Sequence, residues 1–564
     1  MHDEASRPDA SAERAPPGRM EPVAADVVAR HRALFTRTAL VSFLTLLSRV
    51  AGYVRESKTA ALFGHASGVS DALITAWRIP NFFRGLMAEG AIVAAMQTEL
   101  TRVDHEHGER AGRAFFHSMF SLVGRLLAIA SLVCMLLAWY APDRMPVTGW
   151  AWLGEDPAAV REFLVRMLPF VVLVCLSAVV GGALNVRGHF LAPSLAPVVM
   201  NLGWIAALFG VGWYFGEGPG AGGADETERQ MGMARCLATY VLVAGVILLV
   251  VQLPALRCVG LSGASSAEER RASRAAAWSA VRSSVPLAFG AASFQVNALA
   301  GGVLALALLP EGASSLLYYA SRLQQLPLSL VAAAATSAVF PALSALGERR
   351  EKGALRELHE RTHLAIAYVA VPASLGMCFF AEPIFAVCFE HGEFAAAGVD
   401  RAVWGLRALA LAILPAGAAG LVARMHYAIG SRRTPARVAV ILAVVHVALA
   451  VGLVRGLGMD LEGLAWSLAL CAWLNLLLLL PGLRSGFGPS GGWVSLARRL
   501  ARIAAASLLS TAGAWWVHAN GVEDPGSAAG LFVCIFVAVG LYAAFSQLLG
   551  IEEWRELRRR LARR

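Results

Sequence analysis

Residues 38–63 read TALVSFLTLLSRVAGYVRESKTAALF. As a helix this stretch is long and apolar enough to cross the roughly 30 Å hydrocarbon core of a bilayer, yet it carries Ser42, Thr45, Arg49, Gly52 and Glu56. These recur every three or four residues, so a helix aligns them in one polar stripe, with Arg55 and Thr59 at its edge. Arg49 falls near the middle of the span. An arginine at that depth costs on the order of 2.5 to 3.5 kcal/mol on insertion scales, and more without water or a partner. The stripe therefore predicts a membrane helix facing a wet cavity; the alternative is an internal ion pair from Arg49 to Glu56 or Asp71.

The rest of the chain agrees with a membrane setting. Of 564 residues, 57% are hydrophobic and 16% charged, where a soluble protein carries about a quarter charged residues. Mean hydropathy is +0.59. Apolar runs predict helices over 38–63, 69–100, 115–140, 162–185, 191–215, 236–255, 281–308, 314–345, 363–387, 403–428, 436–457, 462–482, 499–518 and 528–548. The fold class is thus an all-α polytopic membrane protein of about 14 spans. With the N-terminus in the cytoplasm, the even-numbered helices return there, and those loops should be basic. They hold Arg102, Arg110 and Arg113; Arg187; Arg270, Arg271 and Arg274; Arg349, Arg350, Lys352 and Arg356; Arg432, Arg433 and Arg437; Arg484, Arg498 and Arg499; and the tail RELRRRLARR. The opposite loops, such as FGHASGVSD (63–71) and LPEGASS (309–315), are nearly free of Lys and Arg. Both termini are expected in the cytoplasm, and the net charge of +10 reports topology rather than nucleic-acid binding. The basic, amphipathic segment EERRASRAAAWSAVR is expected on the cytoplasmic surface, against membrane lipid headgroups. Eight scattered cysteines form no C-x-x-C pair, so neither disulfides nor a metal site is expected.

A repeat emerges when the runs are aligned. DALITAWRIPNFFRGLMAEGAIVAAM, with Arg78, resembles SLLYYASRLQQLPLSLVAAAATSAVF, with Arg322, at an offset of 244 residues. ALNVRGHFLAPSLAPV, with Pro193, resembles ARMHYAIGSRRTPARV, with Pro435, at an offset of 242. Two matches on nearly one period predict two pseudo-symmetric six-helix lobes plus two C-terminal helices. The organisation expected is a disordered cytoplasmic tail over 1–34, an N-lobe over 35–258, a C-lobe over 259–485 with the amphipathic segment before it, and two helices with a basic tail over 486–564.

The candidate site lies where the lobes meet. The second helix adds Asp71, Arg78, Asn81, Arg84 and Glu89 around an I-P-N step, where Pro80 removes a backbone donor. Arg49, Arg55, Arg84 and Arg322 together would make a cationic cavity, and the planar guanidinium fork suits phosphate oxygens. The inferred ligand is a phosphate or pyrophosphate; a snorkelling helix-end charge is the other reading, nearer to Arg55 and Arg84 than to Arg49. Gln295 and Asn297 are polar in an apolar run, which helix-to-helix hydrogen bonding explains equally well. Glu382, Glu390 and Glu393 read as solvated. No P-loop, G-x-S-x-G or H-E-x-x-H motif occurs, so ATP-driven transport by this chain alone is not expected. A membrane glycosyltransferase or acyltransferase would need a catalytic His or carboxylate pair near an interface, and a cation exporter would carry intramembrane carboxylates without the arginine excess.

The run SRVAGYVRESKTAALFGHASGVSDALITAWRIPNFFRGLMAEGAI (48–92) resembles the N-terminal signature of the MurJ (MviN) lipid II flippase family, within the multidrug/oligosaccharidyl-lipid/polysaccharide exporter superfamily. GGALNVRGHFLAPSLAPVVMN, YYASRLQQLP and YAIGSRRTP extend the resemblance over roughly residues 35–480. It implies a non-enzymatic, alternating-access flippase in the bacterial inner membrane whose cavity takes undecaprenyl-pyrophosphate-linked peptidoglycan precursor. The essential cavity arginines fall on Arg49, Arg55, Arg84 and Arg322, with Asp71 and Glu89 as acidic companions. Departures are Glu56 where Asp is usual, Gly85 for a second arginine, Ser321 for an acidic residue, and ALAGGVLAL after Asn297 where an Asp is common. No cofactor is implied, and the energy source stays open between membrane potential and a monovalent cation. Export of another lipid-linked glycan, or scaffolding of cell-wall synthesis proteins by a non-transporting paralogue, are the alternatives. One chain suffices for the two-lobe design, so a monomer is expected.

Overall fold

The computed structural model of the protein describes residues 22–64, 67–85, 92–140, 156–216, 224–336, 352–394, 396–428, 431, 433–487, 493–522 and 527–562. Among these residues the regular structure is helical, without strands. The first half comprises α1 (Pro22–Phe63), α2 (Gly68–Phe83), α3 (Ile92–Tyr140), α4 (Pro157–Met167), α5 (Pro169–Val186), α6 (Leu191–Phe215), α7 (Ala224–Val250), α8 (Leu253–Cys258) and α9 (Ala267–Ala272). The second comprises α10 (Arg274–Leu308), α11 (Ala313–Thr336), α12 (Lys352–Phe379), α13 (Ala381–Phe389), α14 (Ala396–Ala410), α15 (Ile413–Ala428), α16 (Arg433–Val451) and α17 (Leu461–Phe487). α18 (Trp493–Gly521), α19 (Ala528–Leu548) and α20 (Glu552–Ala562) follow.

Ten helices among the described residues are long and apolar enough to cross a membrane, and the chain is a multi-pass membrane protein. The four expected spans outside that set are α1, α2, α10 and α11. α2 is only 16 residues long, and α1 carries Arg49, Arg55, Glu56 and Lys58 on successive turns.

The two halves repeat one another in packing. α1 packs on α6 as α10 packs on α16; α2 on α4 as α11 on α14; α6 on α7 as α16 on α17; and α5 on α7 as α15 on α17. Lipid tails are as apolar as leucine, so such contacts rest on close packing and interhelical hydrogen bonds. Phe163, Phe170, Leu208 and Val241 form the core of the first half; Leu316, Tyr319, Phe385 and Leu406 form that of the second. α10 belongs to both, since Ala277 and Ala280 pack with α3 and α5 while Ala305 lies in the second core.

Several helix ends differ from the sequence reading. Residues 22–34, expected within a disordered tail, form the first turns of α1, with Pro22 at its first position, where a missing N–H costs nothing. The second span, expected as one helix over 69–100, closes α2 at Phe83, three residues past Pro80. α3 then runs on through the turn expected after residue 100, with one break at Gly108, whose φ is 80°. The ninth span is broken between α12 and α13, where the Arg407 Nε–H donates to the Cys378 carbonyl at 3.3 Å, one of the carbonyls that a helix end leaves without an intrahelical partner. The Arg407 guanidinium also stacks over Trp404 at 4.5 Å. Beside α9, Ser266 and Glu269 form a capping box.

Candidate functional site

A cavity of about 860 Å³ opens between the halves, lined by α1, α2, α10, α11 and α14 to α17. Of the eight residues singled out from sequence, Arg49, Arg55, Arg78, Asn81, Arg84 and Arg322 line it. Asp71 is buried outside its wall, and Glu89 lies outside the described residues. Against five arginines, Glu56 is the one carboxylate among the described lining residues.

Glu56 sits at the centre of a network joining the halves. Arg55 Nη2 meets its Oε1 at 2.5 Å, the Tyr318 hydroxyl donates to the same oxygen at 3.0 Å, and Arg322 Nε lies 3.8 Å away. Arg322 Nη2 donates to Tyr318 Oη at 2.8 Å and stacks on that ring at 4.6 Å. Arg55 Nη1 donates to Asn201 Oδ1 at 3.1 Å, and its guanidinium lies over Trp204 at 4.7 Å. The pair considered for Arg49 with Glu56 or Asp71 is thus replaced by Arg55 with Glu56. Sequence reading missed Tyr318, Asn201 and Trp204. Tyr318 stands one helical turn before Arg322, a spacing that could have flagged it.

The period of 244 recurs in this chemistry. Arg84 Nε donates to Asn81 Oδ1 at 3.0 Å, and Arg322 Nη1 donates to Gln325 Oε1 at 3.0 Å. Positions 81 and 325 are one period apart, so each half supplies a carboxamide whose oxygen is occupied by an arginine. Arg78, mate of Arg322, donates from Nη2 to the Ser314 carbonyl at 2.7 Å. Its guanidinium rests directly on Gly302 of α10, where a Cβ would fall 1.3 Å from Nη1.

Arg49 is the exposed member of the set, and its Nη1 reaches Ser329 of α11. Phe43, Leu46 and Val50 on α1, and Leu326 and Leu330 on α11, are exposed around that bridge. A polar cavity thus opens toward apolar surface between α1 and α11, with one arginine at its mouth.

At the end away from the basic loops the halves are closed. Asp71 accepts from Gly312 N at 2.8 Å, Ser315 N at 2.8 Å and Ser315 Oγ at 2.5 Å, which places a carboxylate on the positive N-terminus of α11. Ser70 and Ser315 hydroxyls meet at 3.1 Å, Ser57 Oγ donates to the Cys388 carbonyl at 2.7 Å, and Glu393 N donates to the Ala61 carbonyl at 2.9 Å. This last bond requires glycine on both sides. Gly64 and Gly392 have φ of 67° and 60°, and a Cβ on them would come within 2.7 Å of the Glu393 oxygen and 2.5 Å of the Ala61 oxygen. Glu393, read as solvated, accepts here from Arg229 at 3.4 Å.

Comparison with known proteins draws these features together. The family model described as "Lipid II flippase MurJ" matches residues 59–523. A lipid II flippase MurJ of Burkholderia cenocepacia is 31% identical over 468 residues, covering 82% of this chain and 86% of that one. A probable lipid II flippase MurJ of Bdellovibrio bacteriovorus is 29% identical over 537 residues, covering 91% and 94%. Among solved structures, a lipid II flippase MurJ in an inward closed conformation superposes with a TM-score of 0.67 at 17% identity, over 92% of this chain and 99% of that one. An inward-facing multidrug resistance MATE family transporter gives 0.58 at 13% identity, over 82% and 98%. At such identities the superpositions speak to the fold alone.

Proposed function

Because the chain belongs to the lipid II flippase MurJ family, we propose that it moves lipid-linked peptidoglycan precursor, lipid II, from the cytoplasmic to the periplasmic leaflet by alternating access. The observation that carries this reading is the excess of five arginines over one carboxylate in the described lining of a single cavity. Guanidinium groups donate but do not accept, and they stay charged in a poorly solvated site, which suits a pyrophosphate. The lipid tail stays in the bilayer while the headgroup enters between α1 and α11, past Arg49, and the bonds around Asp71 and Ser315 part to release it on the far side.

In this reading the protein resides in the bacterial inner membrane with both termini cytoplasmic, acts as a transporter rather than an enzyme, and works as a monomer. Lobes of 35–258 and 259–485 rock against each other, with 486–564 as an appended pair of helices and tail. Outward movement of an anionic headgroup follows a membrane potential that is negative inside, which supplies about 2.3 kcal/mol per charge at 100 mV; coupling to a monovalent cation is the alternative.

The test is complementation of a conditional flippase-depletion strain by the wild-type chain, Arg49→Ala and Arg322→Ala, each at verified expression. Rescue by the wild type and failure of both variants is expected. Full rescue by both variants, or unchanged periplasmic-leaflet lipid II on depletion of the protein, would sink the reading, and failure of a well-expressed wild type would turn attention to another lipid-linked glycan or to a scaffold.

A further inference from the structure

The cavity has a second polar wall whose chemistry differs from the arginines. Gln295 and Asn297 on α10 and Asn475 on α17 line it, and none of the three makes a hydrogen bond to another described residue. The Asn297 Oδ1 is buried and unpartnered. Helix-to-helix hydrogen bonding, the reading that sequence left open for Gln295 and Asn297, therefore does not account for them among the described residues. Gln295 instead packs its amide against Gly85, where a Cβ would lie 2.4 Å from Nε2. Carboxamides held inside a membrane protein without partners are costly, and a cavity wall is where a ligand can satisfy them.

Their donor and acceptor balance points to the ligand. Phosphate oxygens only accept, and the arginine wall only donates. Asn81 and Gln325 belong with that wall, because their oxygens already take Arg84 at 3.0 Å and Arg322 at 3.0 Å, leaving amide N–H groups to offer. Gln295, Asn297 and Asn475 keep both donor and acceptor. Groups that match them must also do both, as sugar hydroxyls and acetamido groups do. About 860 Å³ is also far more room than a pyrophosphate alone requires.

We propose that Gln295, Asn297 and Asn475 form a subsite for the N-acetylated saccharide of the cargo, in the same cavity as the arginines that hold its pyrophosphate. The proposal rests on the flippase reading, and it adds a recognition element that a bare polyprenyl pyrophosphate would not engage. The carboxamides are uncharged, so they reject a saccharide-free lipid by leaving it fewer contacts, without disturbing the charge balance around Glu56.

The experiment measures affinity of the purified full chain in nanodiscs for two lipids, undecaprenyl pyrophosphate and lipid II, in the wild type, Asn297→Leu, Asn475→Leu, Gln295→Leu and Arg322→Ala. Each carboxamide variant is expected to weaken lipid II by about five- to tenfold, on the scale of one or two neutral hydrogen bonds, and undecaprenyl pyrophosphate by less than about twofold. Arg322→Ala is expected to weaken both. Carboxamide variants that change the two lipids equally, or neither, overturn the subsite while leaving the flippase reading in place. A wild type that binds neither lipid overturns both. Monodispersity on gel filtration separates lost binding from misfolding, and the three variants lie on two helices, so one that fails to fold leaves the others to decide.

Discussion

At the scale of single residues, the membrane makes charge legible. An arginine in an apolar run is expensive enough that Arg49, Arg78 and Arg322 stood out in the sequence, and all three line one cavity. What did not read out was the pairing. Glu56 joins Arg55, Tyr318 and Arg322, and two of those partners lie some 260 residues away along the chain, beyond any local pattern. Asp71, expected as an acidic companion of the cavity arginines, lies outside the cavity wall and accepts from three donors of Gly312 and Ser315. Gly302 was invisible in a run of small residues, although its missing side chain is what admits the Arg78 guanidinium. Gly302→Ala should therefore act like Arg78→Ala. Its methyl group forces the guanidinium off α10 and breaks the bond to the Ser314 carbonyl, so rescue of the depletion strain should fall in both variants to a similar degree. Wild-type rescue by Gly302→Ala beside a defective Arg78→Ala would show that Arg78 does not depend on that seat.

At the scale of elements, span positions were readable because an apolar run of about 20 residues has few other uses. The breaks within spans were not. Packing decides them, as at the junction of α12 and α13, where Arg407 arrives from another helix to meet the Cys378 carbonyl. The junction of α2 and α11 was equally hidden, since it needs the N-terminal turns of both helices to meet. Asp71→Ala strips the α11 N-terminus of its acceptor, a loss of about 1 to 2 kcal/mol by analogy with helix caps. If that energy holds the far side shut, the open population should grow several-fold. Maleimide labelling of a cysteine placed at Ser57, in a background where the exposed Cys134, Cys236 and Cys258 are replaced, should accelerate accordingly. An unchanged rate would mean that Asp71 stabilises α11 without controlling closure.

For the whole molecule, the duplicated plan came from two sequence matches, and the repeated packing pairs of α1 with α6 and α10 with α16, among others, agree with it. α10, which begins in the core of the first half and ends in that of the second, is the element that a repeat read from sequence could not portray. Motion of the halves can be tested where they touch. The Ser70 and Ser315 hydroxyls are 3.1 Å apart, so Ser70→Cys/Ser315→Cys should oxidise across the contact. Cross-linked protein should lose lipid II export and regain it on reduction, while either single variant stays active. Full export by the cross-linked form would show that this contact need not open. The same contact carries a historical constraint. Asp71 and Ser315 occupy equivalent places in the two copies and grip one another, so a faithful duplicate would have set carboxylate against carboxylate or hydroxyl against hydroxyl. A chain whose halves repeat one plan meets itself along that line, and what holds it shut there is a difference between the halves, a carboxylate on one side and a hydroxyl on the other.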